Sequence, residues 1–275
     1  MAHGRLTDGS RSSFLVKPMH PSERNRHPMY APETLALIAV AFFAAGCVKG
    51  LVGLGLPVVV LAFLALPLGV KPALSLMLIP AVATNIVQAA RGGAFLALLH
   101  RLWSFLLAAA IGIRFGAKLL SAIPQETAMV AVGSLLVVYA AVSLNTPQIK
   151  PPGRLEPILS PLAGGLGGLS FGATGVFIVP GSLYLQALGL DKDRMVQALG
   201  LTFVTISTSL LGAFFAEGYM TSDRALLSAA ALVPTFAGLW LGQRYRERVS
   251  EAAFRTIFFR ALVLTGLYFI ATNLM

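Results

Sequence analysis

From Thr34 to the C-terminus the chain is a series of oily runs punctuated by glycine, proline and charge. The runs cover 34–48, 54–68, 73–90, 99–120 and 127–144. A polar linker, "NTPQIKPPGRLEP", occupies 145–157, and five more runs follow at 158–171, 176–190, 195–215, 225–243 and 252–273. Most lack the polar stripe of a helix on a soluble surface. Several reach the length of about 20 apolar residues that crosses a hydrocarbon layer of about 30 Å. The pattern predicts an all-α polytopic membrane protein of about ten helical segments.

The two groups of five resemble each other. At an offset of 120, Gly55 aligns with Gly175, Gly69 with Gly189, Ile86 with Ile206 and Gly92 with Gly212. At an offset of 126, Gly112 aligns with Gly238, Gly116 with Gly242 and Lys118 with Arg244. Five crossings per group is an odd number, so the second repeat lies inverted relative to the first. The expected organisation is a tail at 1–30, repeat 1 at 31–145, a linker at 146–157 and repeat 2 at 158–275. Such internal repeats are a mark of secondary transporters.

The first two runs and their junction make about 35 residues, near 52 Å as one helix. That is too long for one straight crossing. The junction "KGLVGLGLP" is therefore either a tight link between two short spans or a break within the membrane, and both leave backbone groups unpaired near Gly50, Gly53, Gly55 and Leu56. Backbone is tolerated so at membrane depth only inside protein or against a wet cavity. The second repeat has its own glycine-rich break, "GGLGGLSFGATGVFIVP", with Gly172, Thr174 and Gly175. Paired interruptions at matching places in two repeats point to a transport site. A helix restarting at Gly55 or Gly175 would aim free N–H groups at an anion. The other reading of these glycines is close packing between helices.

Composition supports the membrane assignment. Hydrophobic residues make up 56% and charged residues 12% of 275, with mean hydropathy +0.78, against about 25% charged in a soluble domain. The net charge of +10 sits mainly in the tail and short loops, where anionic headgroups and orientation signals account for it. No nucleic-acid partner is expected. The tail, "MAHGRLTDGSRSSFLVKPMHPSERNRHPMY", is polar and basic with no apolar core. It reads as disordered sequence, or as sequence upstream of a start at Met29. Cys47 is the single cysteine.

Within the oily part, few side chains carry chemistry. Lys49 is costly there unless it faces water, an anion or an interface. Asn85 and Gln88 lie three apart on one helix face, ahead of Arg91, and the 120 offset places Thr205 and Thr208 opposite them. These groups suit either a cradle for a sulfonate or carboxylate or hydrogen-bonding glue between helices. The acidic residues of this part (Glu126, Glu156, Asp191, Asp193, Glu217, Asp223, Glu247 and Glu251) all fall at segment ends or in loops. No buried carboxylate is thus available as a proton relay. No HExxH, paired aspartates or Cys/His cluster appears, so no metal, no cofactor and no enzymatic activity is expected.

Several motifs together resemble the TauE/SafE family. They are the paired breaks, "LPLGVKPA" (66–73) with its partner "LGLDKD" (188–193), "GIRFGAKLLSAIP" (112–124) and "GLWLGQRYRERVS" (238–250). The likeness extends from about Leu35 to the C-terminus. It implies a transporter of sulfite or organosulfonates. One departure is Leu56 and Pro57 after the first break, where the family commonly has more glycine. Sulfonates such as isethionate, sulfoacetate or taurine therefore stand beside sulfite as substrates. The expected setting is the bacterial cytoplasmic membrane, the expected partners the lipid bilayer and a small anionic sulfur compound, and the small size of the chain makes a homodimer an expectation. The rival class is a channel-like or structural membrane subunit with no saturable site.

Overall fold

The computed structural model describes residues 31–145, 151–246, 248 and 251–274. The tail at 1–30 and part of the linker lie outside the described residues. From Pro32 onward the chain forms one compact unit, and the described residues are helical, without strands. The first repeat holds α1 (Pro32–Val52), α2 (Leu56–Leu68), α3 (Val70–Ala89), α4 (Phe95–Ala122) and α5 (Gln125–Asn145). The second holds α6 (Glu156–Thr174), α7 (Leu183–Ala187), α8 (Lys192–Ala216), α9 (Ser222–Ala230), α10 (Leu232–Tyr245) and α11 (Glu251–Leu274). Among the described residues, seven helical spans, with α9 and α10 counted as one, are long and apolar enough to cross a membrane. The expected polytopic, all-helical architecture is the one observed.

Two segments differ from the expected pattern. The fourth run of repeat 2 is divided at Ala231 into α9 and α10. The second run, expected as one span over 176–190, is a π-helical turn (Ile178–Ser182) followed by the short α7. A wide π turn is common at functional breaks in helices.

The repeats interlock. The first helix of each packs on the fourth of the other, α1 on α10 and α6 on α4, while α3 meets α8 and α5 meets α11. Glycine makes both crossings. Gly46 and Gly50 lie against Thr235 to Gln243, and Gly238 and Gly242 against Phe43 to Cys47. Gly112 and Gly116 face Gly165 to Ala173 in the same way, and Gly168 and Gly172 face Ala109 to Ala117. At most of these positions a Cβ would sit inside the facing backbone. Membrane helices associate through such backbone approach because lipid supplies no hydrophobic drive.

α3 shows how a broken backbone bond is repaired away from water. Pro80 has no N–H, so it leaves the Leu76 carbonyl without its helical donor. The Ser228 hydroxyl, on α9, donates to that carbonyl at 2.6 Å, and both groups are buried. An orphaned carbonyl there would cost several kcal/mol in hydrocarbon.

Candidate anion-binding site

The first break is narrower than the sequence suggested. α1 runs through Lys49 and Gly50 to Val52, and only 53–55 leaves the helix. Gly53 (φ 81°) and Gly55 (φ 101°) both adopt left-handed backbone, which a residue with a Cβ takes only at a cost of about 1–2 kcal/mol. Leu56 then begins α2, with Pro57 in its first turn.

Beside this break lies a cavity of about 300 Å³. α1 contributes Lys49 and Gly50, the break Gly53, the end of α3 Thr84, Val87 and Gln88, and the turn after α3 Arg91. Val196 of α8, Leu239 and Gln243 of α10, and Arg246 just beyond α10 complete it. Lys49 lies at its depth, only 7% exposed, and donates a hydrogen bond to Oδ1 of Asn85, itself buried. An ammonium group has three donors. Among the described residues Lys49 has no carboxylate partner. Arg91 and Arg246 are exposed at the rim. Among the described residues, every charged residue lining the cavity is thus basic. A buried cation without a counter-ion is costly, and a small anion entering this cavity would supply the missing charge and accept the remaining donors.

Two glutamines hold the frame. Gln88 donates through Nε2 to the Val196 carbonyl at 3.0 Å, tying α3 to α8. Gln197, 1% exposed, donates to the Ala89 carbonyl at 2.8 Å and accepts from the Ala94 N–H at 2.9 Å. It thereby grips both ends of the turn that carries Arg91, a turn containing two glycines of positive φ, Gly92 and Gly93.

Of the sequence-predicted site residues, the cavity gathers Lys49, Gly50, Gly53, Gln88 and Arg91, with Asn85 behind Lys49. Gly55 does not line it; a Cβ there would approach Val48 and Phe258. Gly172 belongs to the α6–α4 crossing. Thr174 is buried and bonded locally, donating to the Ser170 carbonyl at 2.7 Å. Gly175 is not a helix start but the C-cap of α6, its N–H donating to the Phe171 carbonyl at 2.7 Å. The second break therefore presents a carbonyl end rather than the expected free N–H groups. Thr205 donates to Leu201 of its own helix, and Thr208 is exposed. Neither lines the cavity.

Sequence reasoning did not single out Gln243 and Arg246, which line the cavity, or Gln197, which braces the turn beside it. The first two had a signal: they stand in "GLWLGQRYRERVS", just after the glycines that dock α10 on α1. Gln197 had only its polarity in an apolar helix.

A family model, the sulfite exporter TauE/SafE family, matches residues 37–269, nearly the whole compact unit. The chain belongs to the TauE/SafE family. As a family member it is a multi-pass membrane protein of a group that exports sulfur anions such as sulfite. No curated protein and no solved structure matches it. The all-basic cavity suits a family whose cargo is anionic.

Proposed function

We propose that this protein is a secondary transporter of a small sulfur oxyanion, an organosulfonate or sulfite, held in the cavity by Lys49. The carrying observation is the buried amine of Lys49, which has no carboxylate partner among the described residues, in a cavity whose other described charged residues are Arg91 and Arg246. Gln88 and Gln243 add neutral donors at its wall. Asn85 acts as the placeholder acceptor that Lys49 keeps when no anion is bound.

The proposed setting is the bacterial cytoplasmic membrane, and the proposed assembly a homodimer, supported by the small size of the chain. The cavity end of the bundle carries Arg91, Arg101, Arg154, Arg194, Arg244 and Arg246, while Lys71, Arg114, Lys118 and Arg224 lie toward the other end. The excess of basic residues at the cavity end favours the cytoplasm for it. In that orientation the membrane potential drives a singly charged anion outward, by about 2.3 kcal/mol per 100 mV.

Thermal unfolding of purified protein with increasing sulfite, isethionate or taurine tests the reading. A transporter with a saturable site gains stability with ligand concentration. A channel-like subunit shows no shift for any of them.

A further inference from the structure

The inverted repeats allow the cavity to be compared with its own counterpart at the opposite face. Gly50 docks on Gly242 as Gly172 docks on Gly116, so these glycines are equivalent, and their neighbours follow. Gly50 and Gly172 stand at an offset of 122, which pairs Gly175 with Gly53 rather than with Gly55 as the offset of 120 does. Lys49 corresponds to Phe171, Gln243 to Ala117 and Arg246 to Leu120; through Gly92 and Gly212, Arg91 corresponds to Leu211. Each charged group of the cavity, and Gln243, is replaced by an apolar one, while Gln88 corresponds to the exposed Thr208. Phe171 and Leu120 are 0% exposed and Ala117 is 1%.

Beside these residues the second break carries Phe177, between the left-handed Gly175 and the π turn. Its ring meets Phe105, Phe171 and Phe203 at centroid distances of 6.1, 6.3 and 5.7 Å. The ring lies in a socket of two glycines. A Cβ at Gly167 would come within 2.8 Å of it, and one at Gly181 within 2.5 Å. A large aromatic side chain thus sits between a left-handed glycine and a π turn, beside Phe171, the counterpart of Lys49.

We infer that Phe177, with Phe171 and Phe203, is the gate that closes the anion path on the face opposite the Lys49 cavity. The inference rests on that cavity being the substrate site. In inverted-repeat transporters the two repeats exchange conformations to expose a site alternately. Here the exchange requires Phe177 to leave its glycine socket, a movement the break permits and a continuous helix would not. The path then opens across an apolar surface without a second basic site, so the anion is bound tightly from the cavity face and weakly from the other.

The test uses the full chain in liposomes, with Cys47→Ser removing the native thiol and Gln88→Cys placing a reporter in the cavity. A membrane-impermeant thiol reagent should reach the reporter from the cavity face only. Adding Phe177→Ala or Phe203→Ala should speed labelling from the opposite face about tenfold, the effect of a gate that opens ten times more often. Phe177→Leu, which keeps an apolar plug, should give a smaller increase and serves if an alanine variant does not elute as folded protein. Unchanged opposite-face labelling in the folded variants overturns the gate. Labelling needs no substrate, so this result stands whether or not Lys49 binds a sulfur anion.

Discussion

Lys49 lies one helical turn before the break, inside α1, where its amine donates to Asn85 and, among the described residues, meets no carboxylate. Replacing it with methionine removes a buried charge, which by itself is neutral or stabilising when the replacement packs. Lys49→Met should therefore keep or raise the unfolding temperature while weakening anion binding. The loss of one hydrogen bond to a charged group, roughly 1.5–3 kcal/mol, corresponds to about 10- to 150-fold in affinity. Thr208→Ala, on an exposed side chain outside the cavity, should leave both quantities unchanged in the same ligand titrations. This contrast marks the limit of reading residues by symmetry. Lys49, Gln88 and Arg91 stand out in the sequence because charge or amide is rare in an oily run. Thr205 and Thr208 were included by the repeat offset, but a threonine can satisfy itself on its own helix, as Thr205 does on Leu201. Composition does not distinguish those two situations.

At the scale of helices, the sequence showed where glycines cluster but not which of two tasks each performs. Gly46, Gly50, Gly238 and Gly242 let α1 and α10 touch backbone to backbone, whereas Gly53 and Gly55 turn the chain. Both tasks use the same residue, and only the partner helix separates them. Gly238→Val should thus abolish folded protein, read as loss of a monodisperse peak in size exclusion. Gly53→Ala, which meets no neighbouring atom, should fold with a cost of about 1–2 kcal/mol from its left-handed backbone alone. The Pro80 repair gives a sharper check. Ser228→Ala should cost about 1–3 kcal/mol by orphaning the buried Leu76 carbonyl. In a Pro80→Ala background the helix supplies its own donor, and the same serine substitution should cost little. Equal costs in the two backgrounds, measured by thermal unfolding, would contradict the repair.

At the scale of the molecule, two halves with the same order of segments present unlike faces. Segment order, inversion and the paired breaks were legible because glycine and proline mark them along the chain. The interlocking of first and fourth helices was not, since it depends on which apolar surfaces meet. Nor was the aromatic filling of the second break, because phenylalanines in an apolar run carry no positional signal. The basic face and the potential together predict export. In proteoliposomes clamped with potassium and valinomycin, labelled anion should leave faster when the cavity side is made negative, and a flux that ignores the potential would contradict uncoupled movement of a charged species. The central claim, that the Lys49 cavity holds the anion, is tested most directly by equilibrium binding of labelled sulfite and isethionate to the purified protein and its Lys49→Met variant. Saturable binding to the parent that weakens at least about tenfold in a well-folded variant is the predicted result. Equal affinity in the two proteins would contradict it.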